Sequence, residues 1–344
     1  MRQGILVRPG DLEMREVASL SPGEGEVIVA VELALTCGTD LKTYRRGHPK
    51  LALPIPLGHE FTGTVRAVGA GVSRFREGDP VLAVPSAPCE ACDPCRRGLE
   101  NLCERISGTT MAWGAFADEI RVPAHVVRRN VFHRAPGLDL RRAALLEPLS
   151  CVVAGLERLD LLGRDRALVL GAGPIGLLYV ALLVRRGLEV TVLGKGEQRL
   201  ALARRLGAHA VIDLVQEEPE EAVRRLFPTG ACTVVECVGR PEAWSQAMRW
   251  TRKGGEVLFY GGCSAGTEVP IDTRRVHYDA LTLKGAFHFT PSDVRIALDL
   301  ITSRSLPLEE LVTDELPLER LQEALDRLLA GDGIKLAIRP GGGS

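Results

Sequence analysis

Over the first third of the chain, hydrophobic and polar positions alternate in short runs. Segments such as Glu26-Val27-Ile28-Val29-Ala30-Val31 and Thr64-Val65-Arg66-Ala67-Val68 are rich in β-branched residues and bounded by glycine and proline, which is the pattern of short strands joined by turns. Up to about residue 130 this texture predicts a mostly β unit, a small barrel. From about residue 140 the spacing becomes helical and then alternates between strand and helix, which implies a parallel sheet. Strands are predicted at 166–170, 189–193, 210–213, 233–237, 256–260 and 282–286, the six that a doubly wound dinucleotide fold requires. Beyond 288 an amphipathic helix near 318–329 and a strand at 334–338 close the chain.

A length of 344 residues exceeds one ordinary domain, so two are expected. The formal net charge of -1 leaves no basic field to steer nucleic acid or anionic membrane, which points to a small-molecule partner. The first residues lack the apolar core and cleavage site of a signal peptide, so a cytoplasmic location is the default expectation. One apolar stretch, 167–184, has the length of a membrane span. It contains Gly171, Gly173, Pro174 and Gly176, which would spoil a spanning helix and suit a strand, a turn and a buried helix. The chain ends in Gly341-Gly342-Gly343-Ser344, a flexible or appended tail.

Cys89, Cys92, Cys95 and Cys103 form a C-x2-C-x2-C-x7-C run. Two-residue spacers let thiolates converge on one tetrahedral Zn²⁺. A four-iron ferredoxin segment would place its fourth cysteine three residues after the third and before a proline. Here seven residues intervene and Glu104 follows, so a structural zinc is expected in preference to an iron cluster or disulfides.

Gly171-Ala172-Gly173-Pro174-Ile175-Gly176 fits G-x-G-x-x-G between a predicted strand and helix. In that setting the glycines permit a tight turn and close backbone approach to a pyrophosphate lying on the helix N-terminus, and Pro174 is tolerated in the first turn. The acid that would hold an NAD ribose about 20 residues on is missing: Gly194 stands there, followed by Lys195, with Arg199 four residues further on. If a helix starts at Lys195, the two cations share a face. That suits a ribose 2′-phosphate and predicts a preference for NADP over NAD; the alternative is that both side chains are merely solvated.

Upstream, Thr36-Cys37-Gly38-Thr39-Asp40 and Gly58-His59-Glu60 place a thiolate, an imidazole and a carboxylate on two loops of the β half. A catalytic zinc uses about three ligands of these types and keeps a position open. With a second metal run and a nucleotide site in the same chain, these residues are candidates for a catalytic centre. Asp40 is the expected acceptor for the other nitrogen of His59.

The chain resembles the zinc-dependent medium-chain dehydrogenase/reductase superfamily over essentially its whole length. The resemblance rests on Gly58-His59-Glu60, the four-cysteine lobe, Gly171 to Gly176 and the closing Lys335-Leu336-Ala337-Ile338-Arg339-Pro340, all in the family's order. It implies an α/β architecture: a GroES-like β-barrel catalytic domain over 1–150, to which 288–344 returns, and a Rossmann domain over 151–287, with the active site in the cleft between them. Cys37 and His59 become catalytic-zinc ligands, with Glu60 the next acidic candidate. Leu146-Glu147-Pro148-Leu149 looks like the polyol and threonine dehydrogenase branch, in which this glutamate reaches the zinc directly or through its water, so the role is assigned to Glu147. Thr39 resembles the family's relay hydroxyl; its bland alternative is loop capping. Where relatives carry histidine this chain has Lys42, so Lys42 or His48 would pass the proton to solvent, unless Lys42 is a solvated surface lysine. His288 falls in the family's cofactor-proximal segment. The resemblance further implies hydride transfer between a secondary alcohol or polyol and NADP, with NAD possible, in a homodimer or homotetramer. The competing readings are an L-threonine 3-dehydrogenase and, from another class, a zinc-ribbon interaction module without catalysis.

Overall fold

The computed structural model describes all residues except 49–50, 107–109, 162–165 and 342–344; most of the terminal tail therefore lies outside the described residues. Two compact units emerge, one of Met1–Ser150 with Phe289–Ser344 and one of Cys151–His288.

The first unit is built on a mixed seven-stranded sheet. Its central strand, Val27–Leu35, pairs antiparallel with Glu60–Val68 on one edge; its other edge is shared between Glu119–Val122 and the closing strand Lys335–Arg339. Val312–Pro317 lies parallel to that closing strand, while Pro80–Ala83 and Val131–His133 extend the far side. A separate three-stranded sheet holds Arg2–Arg8 between Asp11–Glu16 and Ile55–Pro56. The core of this unit is aliphatic with few aromatics, among them Phe61 and Phe116, both fully buried. In the final segment, Leu318–Arg320 is a 3₁₀ turn that leads into the helix Leu321–Leu329. That helix buries Leu321, Ala324, Leu325 and Leu328, the i, i+3, i+4, i+7 stripe of an amphipathic helix.

The second unit carries six parallel strands: Arg166–Leu170, Glu189–Gly194, Ala210–Asp213, Ala231–Glu236, Thr251–Phe259 and Thr282–Gly285. In sheet order they run third, second, first, fourth, fifth, sixth, the doubly wound arrangement whose switch point lies beside the first strand. The apolar stretch 167–184 divides into the strand Arg166–Leu170 and the helix Pro174–Arg185, and no helix among the described residues is long and apolar enough to cross a membrane.

Candidate functional site

Cys37 caps the helix Gly38–Arg46: its sulfur accepts the Thr39 N–H at 3.5 Å, and Asp40 returns the favour by accepting the Cys37 N–H at 2.9 Å. This capping box puts the thiol at a helix N-terminus, where the dipole favours thiolate. His59 enters from the turn at Gly58, whose φ of +95° and close approach to the Phe116 amide leave no room for a Cβ. Glu60 opens the strand Glu60–Val68 opposite Leu35. One ligand atom from each of Cys37, His59 and Glu60 lies within 4.8 Å of the others.

Asp40 is buried, accepts the Gly58 N–H at 3.3 Å, and lies 3.4 Å from His59 Nδ1. That last pair interacts by charge, since its alignment falls short of a hydrogen bond and leaves Nδ1 without one. Burial resists protonation of His59, but the charges of Asp40 and Cys37 prevail and hold its pKa well above the usual value. Burial, with Glu60 adding to it, raises the Cys37 thiol. Burial likewise pushes the Glu60 carboxyl up to about 7 although Lys335 pulls it down, with Glu147 adding to the rise. A thiol and a carboxyl that both resist ionising form a donor set a divalent cation would relieve, so thiolate, imidazole and carboxylate fit zinc by chemistry as well as by distance.

Glu147, in the first turn of the helix Leu146–Leu156, is buried but stands outside the three-residue group; its charge is felt by Glu60 and Lys335. Thr39 and Lys42 are exposed on the helix Gly38–Arg46, and His48 is half-buried. Two further residues at this centre are not among the site residues expected from the sequence. Trp113 meets the rings of both His48 and His59 edge-on, at 5.5 and 5.2 Å. Lys335, buried, donates to both oxygens of Glu60 at 2.8 and 2.6 Å and to the Thr36 carbonyl at 2.7 Å. It heads the closing Lys335–Pro340 segment of the resemblance, and nothing in the linear pattern says that it reaches Glu60.

In the cysteine lobe the four sulfurs also lie within 4.8 Å of one another. Cys92 Sγ and Cys103 Sγ are 3.8 Å apart, too far for a disulfide and equal to the edge of about 3.8 Å that a tetrahedron with ~2.3 Å Zn–S bonds requires. Backbone N–H groups of Cys92, Cys89 and Arg105 point at Cys89 and Cys103 sulfurs. Hydrogen bonds from the Ala91 and Cys92 amides bring the Cys89 thiol down to about 6, whereas burial and its sulfur neighbours hold Cys95 up at about 12. Full ionisation therefore calls for a cation at the centre.

In the second unit, Gly171 has a φ of +104°, and a Cβ on Gly176 would overlap the Gly171 carbonyl. Gly173 caps the helix Pro174–Arg185 with no side-chain hydrogen bond, and a Cβ added there would meet nothing within 4 Å. Protein packing thus explains two of the glycines and leaves the third bordering open space beside the uncapped amides of Ile175 and Gly176, where a pyrophosphate fits. Gly194 ends the second strand against Ala172, whose nitrogen would lie 3.0 Å from a Cβ at 194, so no acid can occupy that position without displacing the glycine loop. The next helix starts at Glu197 after Gly196, which has a φ of +94°. Lys195 therefore precedes the helix, and the expectation of a shared helical face with Arg199 is corrected; Lys195 is exposed and Arg199 half-buried. His288 adopts a left-handed φ of +58° with its ring 5.8 Å from that of Phe287.

A parallel six-stranded sheet with this glycine loop, joined in one chain to a thiolate–imidazole–carboxylate centre and a four-thiolate lobe, defines a dinucleotide- and metal-dependent oxidoreductase. Residues 23–130 match the alcohol dehydrogenase GroES-like domain, and residues 174–303 match the zinc-binding dehydrogenase domain. The chain is 30% identical to a sorbitol dehydrogenase of Halalkalibacterium halodurans over 96% of both chains, and 31% identical to an L-threonine 3-dehydrogenase of Bacillus velezensis over 95% of both. A Sinorhizobium meliloti 1021 structure, described as a zinc-binding dehydrogenase bound to NADP, superposes with a TM-score of 0.90 at 27% identity, covering 98% of this chain and 99% of that one. The chain belongs to the zinc-dependent medium-chain dehydrogenase/reductase superfamily. Its cofactors are zinc and a nicotinamide dinucleotide, and the interaction-module alternative falls away.

Proposed function

We propose that this protein reversibly oxidises the secondary hydroxyl of an alcohol or polyol to a ketone, with NADP⁺ preferred as hydride acceptor. The observation that carries the reading is the group of half-buried Cys37 with buried His59 and Glu60, in a chain that also holds an open Gly173 cradle.

In this reading Cys37 and His59 would hold the catalytic zinc, with Glu147 or Glu60 as the carboxylate. Asp40 orients His59 by drawing the Nδ1 proton toward Oδ1, which leaves the opposite nitrogen to the metal. When bound, the zinc lowers the pKa of a substrate hydroxyl toward neutrality, and the nicotinamide takes up the hydride. The Thr39 hydroxyl, two residues from Cys37 at the exposed start of its helix, receives the substrate proton, and His48 or Lys42 hands it to solvent. Trp113, edge-on to His59, forms an apolar wall beside the metal. The amides of Ile175 and Gly176 hold the pyrophosphate, Gly194 leaves the acid position vacant, and Lys195 with Arg199 receives the 2′-phosphate. Burial lowers the Arg199 pKa, and a nearby phosphate would offset that cost. His288 serves the cofactor from the end of the same unit.

For assembly, the reading is a homodimer or homotetramer. The strand Thr282–Gly285 is one of the two edge strands of its sheet, and Tyr278 and Phe287 nearby are 75% and 57% exposed; an edge strand beside exposed aromatics is a template for pairing with a second chain.

Identities of 30% to a sorbitol dehydrogenase and 31% to a threonine dehydrogenase do not separate those substrates. A panel of polyols, simple secondary alcohols and L-threonine, assayed with NADP⁺ and NAD⁺ on a sample of measured molecular mass, does. Turnover of polyols or alcohols at higher kcat/KM with NADP⁺ is expected, and loss of turnover in Cys37→Ser with the lobe metal retained. L-Threonine as the best substrate, kcat/KM favouring NAD⁺, or an active Cys37→Ser enzyme would each overturn the corresponding assignment.

A further inference from the structure

We propose that Glu236 is a positioning residue for the nicotinamide half of the cofactor: its buried carboxylate sets the turn after the fourth strand of the second unit against the turn after the fifth, and so fixes one wall of the crevice before the dinucleotide arrives. The inference rests on the reading of this unit as the NADP⁺ carrier.

Sheet order puts Glu236 at the switch point. It closes the strand Ala231–Glu236, with Leu170 of the first strand on one side and Phe259 of the fifth on the other. Ligands of doubly wound sheets lie outside the carboxyl ends of the strands at this point, one mononucleotide on each half. The glycine loop and Gly194 belong to the first three strands and so to the adenosine half. The turns at 237–239 and 260–262 follow the fourth and fifth strands and fall to the nicotinamide half.

Glu236 is fully buried and bends forward over its own turn, where Oε1 accepts the N–H groups of Val238 at 2.6 Å and Gly239 at 2.8 Å. Its backbone carbonyl accepts from Tyr260 at 3.0 Å and Gly261 at 2.9 Å, so one residue bonds to both turns. The second turn is also held independently, by the Trp244 indole N–H on the Gly261 carbonyl at 2.9 Å. The two turns meet backbone to backbone. A Cβ on Gly261 would lie 2.3 Å from the Gly239 nitrogen and 2.6 Å from Glu236 Oε2, and one on Gly239, which has a φ of +72°, would lie 2.7 Å from the Gly262 carbonyl oxygen. From this seat Val238, 44% exposed, reaches over Gly171, its Cγ2 3.1 Å from where a Cβ would stand.

Burying a carboxylate is a costly way to hold a turn whose amides water could satisfy. Oε2 makes no hydrogen bond, and burial raises the Glu236 pKa although the amides of Gly239 and Val238 pull it down. What offsets the cost is preorganisation. A charged acceptor binds two amides more strongly than water does, and a turn already fixed need not be ordered when the cofactor binds.

The test compares NADP⁺ with adenosine 2′,5′-bisphosphate, which carries the adenosine half alone, by calorimetric titration of the holoprotein. In Glu236→Ala the two amides are released and NADP⁺ binding weakens on the order of tenfold, while the bisphosphate binds within about twofold of wild type. Glu236→Gln keeps an oxygen for both amides and restores NADP⁺ binding to within about threefold of wild type. A Glu236→Ala protein that binds NADP⁺ as wild type does overturns the proposal. So does one that loses affinity for both ligands by the same factor, since Glu236 would then serve only the stability of the unit, and so do equal losses in the Gln and Ala variants. If Glu236→Ala does not fold, Gly239→Ala decides: its Cβ drives the same turn off Gly262, so NADP⁺ binding must weaken and bisphosphate binding must not. A wild-type protein that binds NAD⁺ and not the bisphosphate refutes only the NADP preference, and the comparison then runs with NAD⁺ and AMP. One that binds neither dinucleotide refutes the cofactor reading itself, a result distinct from the others.

Discussion

Two glycines three residues apart in the nucleotide loop should fail in opposite ways when replaced by alanine. At Gly176 the new Cβ would overlap the Gly171 carbonyl oxygen and sit 3.0 Å from its carbon and 3.5 Å from Val169 Cγ1, where carbon atoms prefer about 3.5–4.0 Å. The obstructing atoms are backbone, so the helix Pro174–Arg185 must move off the loop. Overpacking of this kind costs about 1–3 kcal/mol, which for a unit the size of Cys151–His288 lowers its thermal midpoint by roughly 4–12 °C. At Gly173 the Cβ meets nothing within 4 Å and the backbone, at φ −77°, accepts any residue. Losing glycine at an N-cap and gaining rigidity in the unfolded chain are opposing effects of under about 1 kcal/mol, so the midpoint should stay within about 2 °C. The methyl group instead takes the space in which the pyrophosphate approaches, weakening NADP⁺ binding on the order of 10–100-fold, or about 1.4–2.7 kcal/mol. Differential scanning fluorimetry without cofactor and calorimetric titration with NADP⁺ separate the two effects. A Gly173→Ala protein that binds NADP⁺ as wild type does, or a Gly176→Ala protein with an unchanged midpoint, would refute the assignment of packing to one glycine and cofactor space to the other.

Cys103→Ser should lower the bound zinc by one per chain and destabilise the first unit by at least about 2 kcal/mol, since a metal held by four local thiolates contributes folding energy; elemental analysis with the metal count unchanged would rule out the tetrahedral lobe. Asp118 accepts hydrogen bonds from the Arg2 backbone and side chain, each at 2.6 Å at its shortest, and although burial opposes ionisation these bonds hold its pKa below the usual carboxylate value. Because the folded pKa is the lower one, the contribution is complete above the unfolded value near 4 and is lost as pH falls through the folded pKa. Asp118→Asn should therefore flatten the acid limb of the stability curve measured by urea titration between about pH 5 and 2, and an acid limb as steep as wild type would count against the link.

The features readable in the sequence are those whose partners are close in the chain. The cysteine lobe spans 15 residues and needs only knuckled turns to close, and the glycine loop is one turn between a strand and a helix that their own apolar patterns announce. Strands such as Arg166–Leu170 and Ala210–Asp213 were legible at their bounds, because a buried parallel strand is a bounded apolar run. The start of the helix Glu197–Arg205 was not, since the left-handed Gly196 could equally have lain inside a loop.

What the linear pattern determined, then, was the inventory: two kinds of sheet, a thiolate knot, a phosphate loop, and the residue types of a metal centre. Tertiary structure decided which of those residues meet. That Lys335 neutralises Glu60, that Trp113 abuts His59, and that Ala172 bars any side chain at Gly194 follow from strand register and sheet order. Contacts across a sheet are set by which strands lie side by side, and the closing strand Lys335–Arg339 meets Val27–Leu35 from the opposite end of the chain, where local periodicity carries no information about pairing.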